Sequence, residues 1–292
     1  MLDGDTCYRA LEAKDARFDG LFFVGVSTTG IYCRPVCRAR TPRRERCTFH
    51  RSGAEAERAG FRACLRCRPE LAAGSAPIDS IPRIVARALA RIDEVASGDL
   101  SLEALAAALD VSDRHLRRAI EAQLGVSPIE LVTSRRLAMA KQLLHDTRLG
   151  LAEIAFASGF GSVRRFNAAF RARFERAPSS LRRALVPRDG SAPEGATLTL
   201  RLGYRPPFDW AALLRFLGGR AIPGVERVEG ERYLRTVRAG DGAGVIAVRD
   251  DPERSLLIAE LPLALAGAVM PIAARLRALF DLDADPARIE AG

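Results

Sequence analysis

Lysine is almost missing from this chain: Lys14 and Lys141 are the only two among 45 basic residues, so arginine carries the positive charge. A compositional habit of a genome accounts for that choice, and no function is read from it. Two other absences restrict more. No apolar run approaches the roughly 18 residues that a membrane-spanning helix needs, which excludes a helical membrane protein. Met1 to Lys14 mixes Asp3, Asp5, Arg9 and Glu12 with no apolar core and does not read as a signal peptide. The six cysteines are therefore expected in a reducing compartment, where metal binding is favoured over disulfides. Acidic residues are also scarce, but only locally. Ser134 to Arg183 holds 11 basic and 3 acidic residues, whereas Pro187 to the end holds 14 and 15. The first two thirds carry a polyanion-binding signal and the last third does not.

What is present is most concentrated between Thr28 and Pro69. Cys33-x3-Cys37 is followed, after 26 residues, by Cys64-x2-Cys67. Two short cysteine pairs separated by a loop suit a tetrahedral zinc site, because each pair supplies two thiolates from one tight turn. From Cys33 to Pro69 there are 11 arginines against Glu45, Glu55 and Glu57. That surplus compensates the charge of a four-thiolate zinc centre and offers a surface to phosphates. Spacing alone leaves two readings open, a structural zinc knuckle and a chemically active thiolate. Cys7 and Cys47 fall outside the pattern and read as small buried hydrophobes.

At 292 residues the chain is long enough for two or three domains. Around the cysteines, Leu21 to Val26 reads as a short buried strand, and Ser52 to Gly60 as a capped helix just before the second pair. Gly74 to Pro77 is a plausible linker. From Ile81 to about Arg183 the pattern is helical. Leu102, Leu105, Ala106 and Leu109 form one apolar face, Asp110-Val111-Ser112 turns, and Ser112 caps a helix from Asp113 to Gln123. The same grammar returns 50 residues later: Leu151, Ile154 and Ala155 face inward, Gly159-Phe160-Gly161 turns, and Ser162 caps Val163 to Phe174. Ser127-Pro128 opens a longer helix between them, with Leu131, Leu137 and Leu144 on its apolar side. Two helices joined this way make a helix-turn-helix, whose second helix enters the major groove. By position, Arg114 and Arg117 in the first such helix and Arg164 and Arg165 in the second are the candidates for grooves or phosphates. After a second linker, Pro187 to Pro193, the period changes. Thr197 to Leu202 alternates as a half-buried strand, Phe208 to Phe216 reads as a helix, Tyr233–Val237, Val245–Val248 and Leu256–Leu261 read as strands, and Val269 to Phe280 closes as a helix. Trp210 is read as core packing, with base stacking as the other possibility.

Three resemblances attach to these words. Thr28-Thr29-Gly30-Ile31-Tyr32-Cys33-Arg34-Pro35-x-Cys37-Arg38-Ala39-Arg40, with Ala59-Gly60-Phe61-Arg62-x-Cys64-x-Arg66-Cys67-x-Pro69, resembles the N-terminal domain of Ada, the bacterial methylation-repair and adaptive-response regulators. That resemblance implies one Zn2+ held by Cys33, Cys37, Cys64 and Cys67, with Cys33 the nucleophile that takes a methyl group from a methylated DNA phosphate, and with Thr29, Arg40 and Arg62 touching that phosphate. Leu102–Gly125 and Leu151–Leu181 resemble the two helix-turn-helix units of AraC-type activators, through Ile154-Ala155-x3-Gly159-Phe160-x-Ser162-x3-Phe166-x3-Phe170 and Pro178-Ser179-x-Leu181-Arg182. Pro206-Pro207-Phe208-Asp209-Trp210-x2-Leu213-Leu214-x-Phe216-Leu217 and Gly224-Val225-Glu226 resemble the N-terminal domain of AlkA-type 3-methyladenine DNA glycosylases. In that last family the chemistry sits in a later helix-hairpin-helix domain with a catalytic aspartate. No residue before Gly292 can take that role, so no glycosylase activity is expected. The second Ada methyltransferase domain, with its Pro-Cys-His-Arg site, is missing as well.

The expected organisation is a multidomain α+β protein: a small zinc-bound α+β domain (1–76), an all-α AraC-type double helix-turn-helix (81–186), and a C-terminal antiparallel-sheet α+β domain (194–292). The expected function is a methylation-responsive activator. It repairs DNA methylphosphotriesters by irreversible transfer to zinc-bound Cys33, and the lost negative charge then strengthens promoter binding. The alternatives are a non-enzymatic zinc-stabilised AraC-type transcription factor, the regulatory front half of a 3-methyladenine DNA glycosylase fusion, and a repair accessory whose last domain docks a separate glycosylase. Expected partners are double-stranded DNA and RNA polymerase, with no membrane. The expected state is a monomer in the bacterial cytoplasm, associated with the nucleoid.

Overall fold

The computed structural model describes residues 2–73, 83–94, 101–185, 197–286 and 289. The two linkers expected at Gly74 to Pro77 and Pro187 to Pro193 lie outside the described residues.

The N-terminal helix α1 (Gly4–Ala13) starts where Asp3 accepts the amides of Asp5 and Thr6 at 3.0 and 2.9 Å. It ends at Lys14, whose φ of 51° turns the chain back. Four short strands follow: β1 (Phe23–Val26), β2 (Ile31–Cys33), β3 (Cys47–His50) and β4 (Arg62–Ala63), with α2 (Gly53–Arg58) between the last two. The sheet order is β3-β1-β2-β4, antiparallel except for the parallel β2–β4 edge pair. Cys7, Ala10, Leu11, Phe22, Val24 and Cys47 pack as one core, and Phe23, Tyr32 and Ala56 form a second. Cys7 and Cys47 are thus the buried hydrophobes expected, and burial pushes the Cys7 thiol up to about 11.

The helical region comprises α3 (Arg83–Glu94), α4 (Leu102–Ala108), α5 (Asp113–Leu124), α6 (Pro128–Asp146), α7 (Leu151–Ala157), α8 (Val163–Phe174) and α9 (Pro178–Leu185). Ser112 and Ser162 cap α5 and α8 as their positions predict. The C-terminal region comprises β5 (Thr197–Gly203), α10 (Trp210–Gly218), β6 (Glu226–Glu229), β7 (Arg232–Ala239), β8 (Gly242–Asp251), β9 (Leu256–Pro262) and α11 (Val269–Leu279). Its sheet is antiparallel throughout, in the order β5-β9-β8-β7-β6. Along β5, Leu198, Leu200 and Leu202 are buried and alternate with more open Thr197, Thr199 and Arg201, the period-2 pattern of a half-buried strand. Phe208 precedes α10 rather than opening it, because Asp209 accepts the Ala212 amide at 2.8 Å and so fixes the helix start. Trp210 is core: it is 7% exposed, its Nε1 donates to the Glu231 carbonyl at 2.9 Å, and its ring meets Phe280 edge-on at 5.3 Å. The mixed α+β organisation is the one expected.

Backbone contacts gather the chain into two compact units, Met1–Ile92 with Leu100–Arg135 and Leu282–Gly292, and Asp93–Asp99 with Arg136–Asp281. Within the first unit, Ala54 of α2 belongs to the same apolar cluster as Val85, Leu105, Leu116, Ile120 and Leu131. Polar contacts reinforce that packing. The Arg51 Nη1 donates to the Ala122 carbonyl at 2.7 Å and the Ser52 hydroxyl to the Leu124 carbonyl at 3.1 Å. Gly125, which ends α5 with a φ of 72°, leaves room for Glu55; a β-carbon there would stand 2.6 Å from its Oε1.

Candidate metal centre and nucleic-acid interface

Each cysteine of the two pairs is delivered by a separate piece of backbone. Cys33 is the last residue of β2, in register with Val24 of β1. Cys37 closes a tight turn whose amide donates to the Arg34 carbonyl at 3.1 Å. Cys64 follows β4, and its amide donates to the Tyr32 carbonyl at 3.0 Å, so the parallel β2–β4 pairing is what brings the second cysteine pair beside the first. Cys67 lies at the end of the next turn, before Arg68 at φ 51°.

The four sulfurs lie within 4.8 Å of one another. A tetrahedral zinc with Zn–S bonds of about 2.3 Å needs sulfurs about 3.8 Å apart, and four soft thiolates are the donor set that selects such a metal. The residues present fit one zinc ion. Sulfurs this crowded also demand a cation, because without one they can only share protons. The Cys33 thiol, donating to Cys37, is pushed far up, while Cys37 drops to about 7 as it accepts from Cys33.

The sulfurs differ in surroundings. Cys37 and Cys64 are buried, whereas Cys33 and Cys67 are half-buried. Cys67 Sγ accepts the Arg34 amide at 3.4 Å.

Arg34 departs from the sequence reading. It counts among the arginines expected to offer a surface to phosphate, yet it is 7% exposed and turned inward. Its Nε donates to Asp19 at 2.8 Å, its Nη2 pairs with the other oxygen of that carboxylate, and its Nη1 donates to the Cys67 carbonyl at 3.3 Å. A buried guanidinium persists only when its charge and donors are met, and Asp19, itself 2% exposed, meets them. The partner stands 15 residues upstream, so no local spacing announced it.

Tyr32 and Glu57 were also missed. The Tyr32 hydroxyl donates to Glu57 Oε1 at 2.7 Å and the Ser134 hydroxyl of α6 to Glu57 Oε2 at 2.6 Å. The carboxylate thereby joins the strand that ends in Cys33 to the long helix.

The residues expected to face DNA are all exposed. Thr29 sits on the β1–β2 turn and Arg62 on β4, in register with Ile31, so both flank the strand that carries Cys33; Arg40 lies on the loop after Cys37. Arg114 and Arg117 stand on the open face of α5, and Arg164 and Arg165 on that of α8. No helix of the described residues is long and apolar enough to cross a membrane.

Comparison with known proteins assigns modules to these regions. Residues 6–70 match the metal binding domain of Ada, residues 105–184 a helix-turn-helix domain, and residues 199–292 the AlkA N-terminal domain. A probable bifunctional transcriptional activator/DNA repair enzyme AlkA of Mycobacterium tuberculosis is 39% identical over 290 residues, which is 98% of this chain and 58% of that protein. The chain thus spans a little over half the length of that relative. The bifunctional transcriptional activator/DNA repair enzyme Ada of Escherichia coli is 41% identical over 128 residues, covering 44% of this chain and 34% of that one. A solution structure of the Escherichia coli Ada protein in complex with DNA is 36% identical and covers 46% of this chain and 92% of that chain, at a TM-score of 0.23. The three expected modules are present in the expected order.

Proposed function

We propose that this chain repairs DNA methylphosphotriesters by taking the methyl group onto Cys33, and that the methylated protein then binds promoter DNA more tightly as a transcriptional activator. The observation that carries the reading is the setting of Cys33. It is half-buried rather than enclosed, and it ends a strand flanked by exposed Thr29 and Arg62.

The step requires little apparatus. Bound zinc would keep the sulfur a thiolate at neutral pH. Cys33 Sγ attacks the methyl carbon, an S–C bond forms, the C–O bond to phosphorus breaks, and its electron pair stays on the phosphate oxygen. The products are a thioether and an ordinary anionic phosphodiester, so no proton moves and no base is needed. Thr29, Arg40 and Arg62 hold the phosphate and stabilise the returning charge. A thioether is not reversed under these conditions, so each chain acts once.

The same step supplies a signal. A four-thiolate centre is negative and repels the DNA backbone, and methylating one thiolate removes one unit of that charge where phosphate must approach. Arg114, Arg117, Arg164 and Arg165 then face the double helix through α5 and α8. The chain would act as a monomer and recruit RNA polymerase.

Mass spectrometry of the zinc-loaded chain, incubated with DNA bearing methylphosphotriesters and then peptide-mapped, tests the reading. One added methyl on Cys33, followed by a rise in operator affinity, is the expected result. Zinc-loaded, DNA-bound protein without that methyl reduces the chain to a regulator with a structural metal site.

A further inference from the structure

The two helix-turn-helix units belong to different compact units of the backbone. The division falls inside α6: its residues up to Arg135 go with α4, α5 and the metal-binding region, and those from Arg136 on go with α7, α8 and the C-terminal sheet. The composition of Pro187 to Pro193 suggests a tether with an independent domain hanging from it. The contacts on the C-terminal side are instead those of a joint. On α6, Gln142 and Asp146 stand one turn apart on the same face. The Gln142 Nε2 donates to the Arg201 carbonyl of β5 at 3.0 Å, and Asp146 Oδ1 pairs with Arg201 Nη1 at 2.5 Å. Gln142 is 4% exposed and the Asp146 side chain 5%. β5 is an edge strand, so carbonyls on its outer side have no neighbouring strand; Asp146 ends α6, where the helix dipole disfavours a carboxylate. Each element thus meets a polar need of the other. The short helical turn Leu263–Ala268, between β9 and α11, packs against α7, and its Leu265 is fully buried, as are Ile154 and Ala155 of α7. The turn between α7 and α8 meets α11 as well: a β-carbon on Gly159 would stand 3.5 Å from Met270 Sδ and 3.1 Å from Nε of Arg136 on α6.

We propose that the C-terminal domain is a brace for the second helix-turn-helix unit: it grips α6 and α7 and thereby sets the direction in which α8 presents Arg164 and Arg165 to DNA. In this motif the helix that enters the groove is oriented by the helix packed behind it, and only a few of its side chains reach base edges. A small rotation of α8 is therefore enough to misplace them. Here the supporting helices are held from outside the motif, by β5 through Arg201, by Leu263–Ala268 and by Met270. The first unit has a different support, since Arg51 and Ser52 hold the end of α5. The brace is independent of chemistry at Cys33 and takes from the proposed function only that α8 faces DNA.

The test uses the full zinc-loaded chain with Arg201→Ala, Arg201→Lys or Gln142→Ala. Amide hydrogen exchange is followed by mass spectrometry, and hydroxyl-radical footprints are taken on a duplex enriched from a random-sequence pool by the wild-type chain. Arg114→Ala and Arg164→Ala, made separately, identify the DNA positions that each reading helix protects. In Arg201→Ala, exchange along α7 and the C-terminal half of α6 is expected to quicken about tenfold, the scale of losing one charge-assisted hydrogen bond, while α4, α5 and the β7–β8 pair keep wild-type rates. Protection at the positions that depend on Arg164 is expected to need about tenfold more protein, with those that depend on Arg114 unchanged. Arg201→Lys, which keeps a charge beside Asp146, is expected to restore most of that protection. Wild-type exchange in Arg201→Ala overturns the brace. Faster exchange with an unchanged footprint makes the contact one of stability alone and overturns it too, as does equal loss at both sets of positions. Should Arg201→Ala lose protection along β7 and β8, and so fail to fold, Gln142→Ala is read the same way with a smaller expected change. A wild-type footprint with no position that depends on Arg164 sinks the DNA-facing role of α8, whereas the exchange rates report on the joint itself.

Discussion

The two helix-turn-helix units use the same punctuation and different packing. In each, a serine caps the second helix: Ser112 accepts the His115 amide at 3.3 Å and Ser162 the Arg165 amide at 3.2 Å. In each, a residue with positive φ makes the turn, Asp110 at 57° and Gly159 at 87°. Their interiors share little. Leu105, Leu116, Ile120 and Leu124 fill the first, while Phe160, Phe166, Phe170 and Phe174 run through the second as successive rings 5.4, 5.5 and 4.4 Å apart. Both second helices close on a left-handed residue, Gly125 at φ 72° donating to the Glu121 carbonyl and Glu175 at φ 52° donating to the Arg171 carbonyl, and the last carbonyls of α5 also accept Arg51 and Ser52 from the metal-binding region. Caps and turns define the motif, the core is free to vary, and the end of α5 is tied to the metal-binding region through Arg51 and Ser52.

The strongest way to break that contrast is to remove the metal. Apparent binding energies of structural zinc run to about 10–16 kcal/mol, and a small domain that spends its ligands' order on the metal unfolds without it. Cys64→Ser is expected to lose zinc and to unfold β1 to β4 with α2. Amide hydrogen exchange should then quicken along the C-terminal half of α5, where Ala122 and Leu124 lose their donors, and stay unchanged along α8. Equal loss of protection in both helices would show that the contrast is not one of attachment.

A milder substitution tests the same attachment through one carboxylate. Glu57→Ala removes the acceptor that the Tyr32 and Ser134 hydroxyls share, and loss of a part-buried hydrogen bond costs about 0.5–1.5 kcal/mol. Denaturant unfolding should show that loss in the zinc-loaded chain. In a double-mutant cycle with Ser134→Ala the two losses should not add, because both remove the same bond. Additive losses would mean that Glu57 acts through Tyr32 alone.

The contrast also marks what could be read from the sequence. Caps, turn residues and cysteine spacing are local, so the boundaries of α5 and α8 and the four metal-site cysteines were legible within a residue. Strands of two to four residues carry too few alternations to be seen unless they are apolar throughout, as β1 nearly is, which is why β2, β3, β4 and β6 went unread although β4 pairs with β2 to bring Cys64 beside Cys33. Long-range polar partners leave no local trace. Asp19 is 15 residues from Arg34 and Glu57 is 77 from Ser134, and charge counting placed Arg34 on the surface where the fold buries it.

The smallest effect belongs to the shared feature and sharpens the comparison from the other side. Ser112→Ala and Ser162→Ala each remove one acceptor from the first turn of a helix and leave an N–H without its intrahelical or side-chain partner, at a cost of about 1 kcal/mol. Both sites are open to solvent at the helix start, and water can partly replace the hydroxyl at either. The two losses should therefore agree within a few tenths of a kcal/mol by denaturant unfolding, despite aliphatic packing in one unit and aromatic packing in the other. A much larger loss at Ser162 would mean that its hydroxyl also orients Arg164 and Arg165. Operator binding separates the cases: a cap alone changes stability and leaves the salt dependence of binding intact, whereas loss of a phosphate contact lowers its slope by about one.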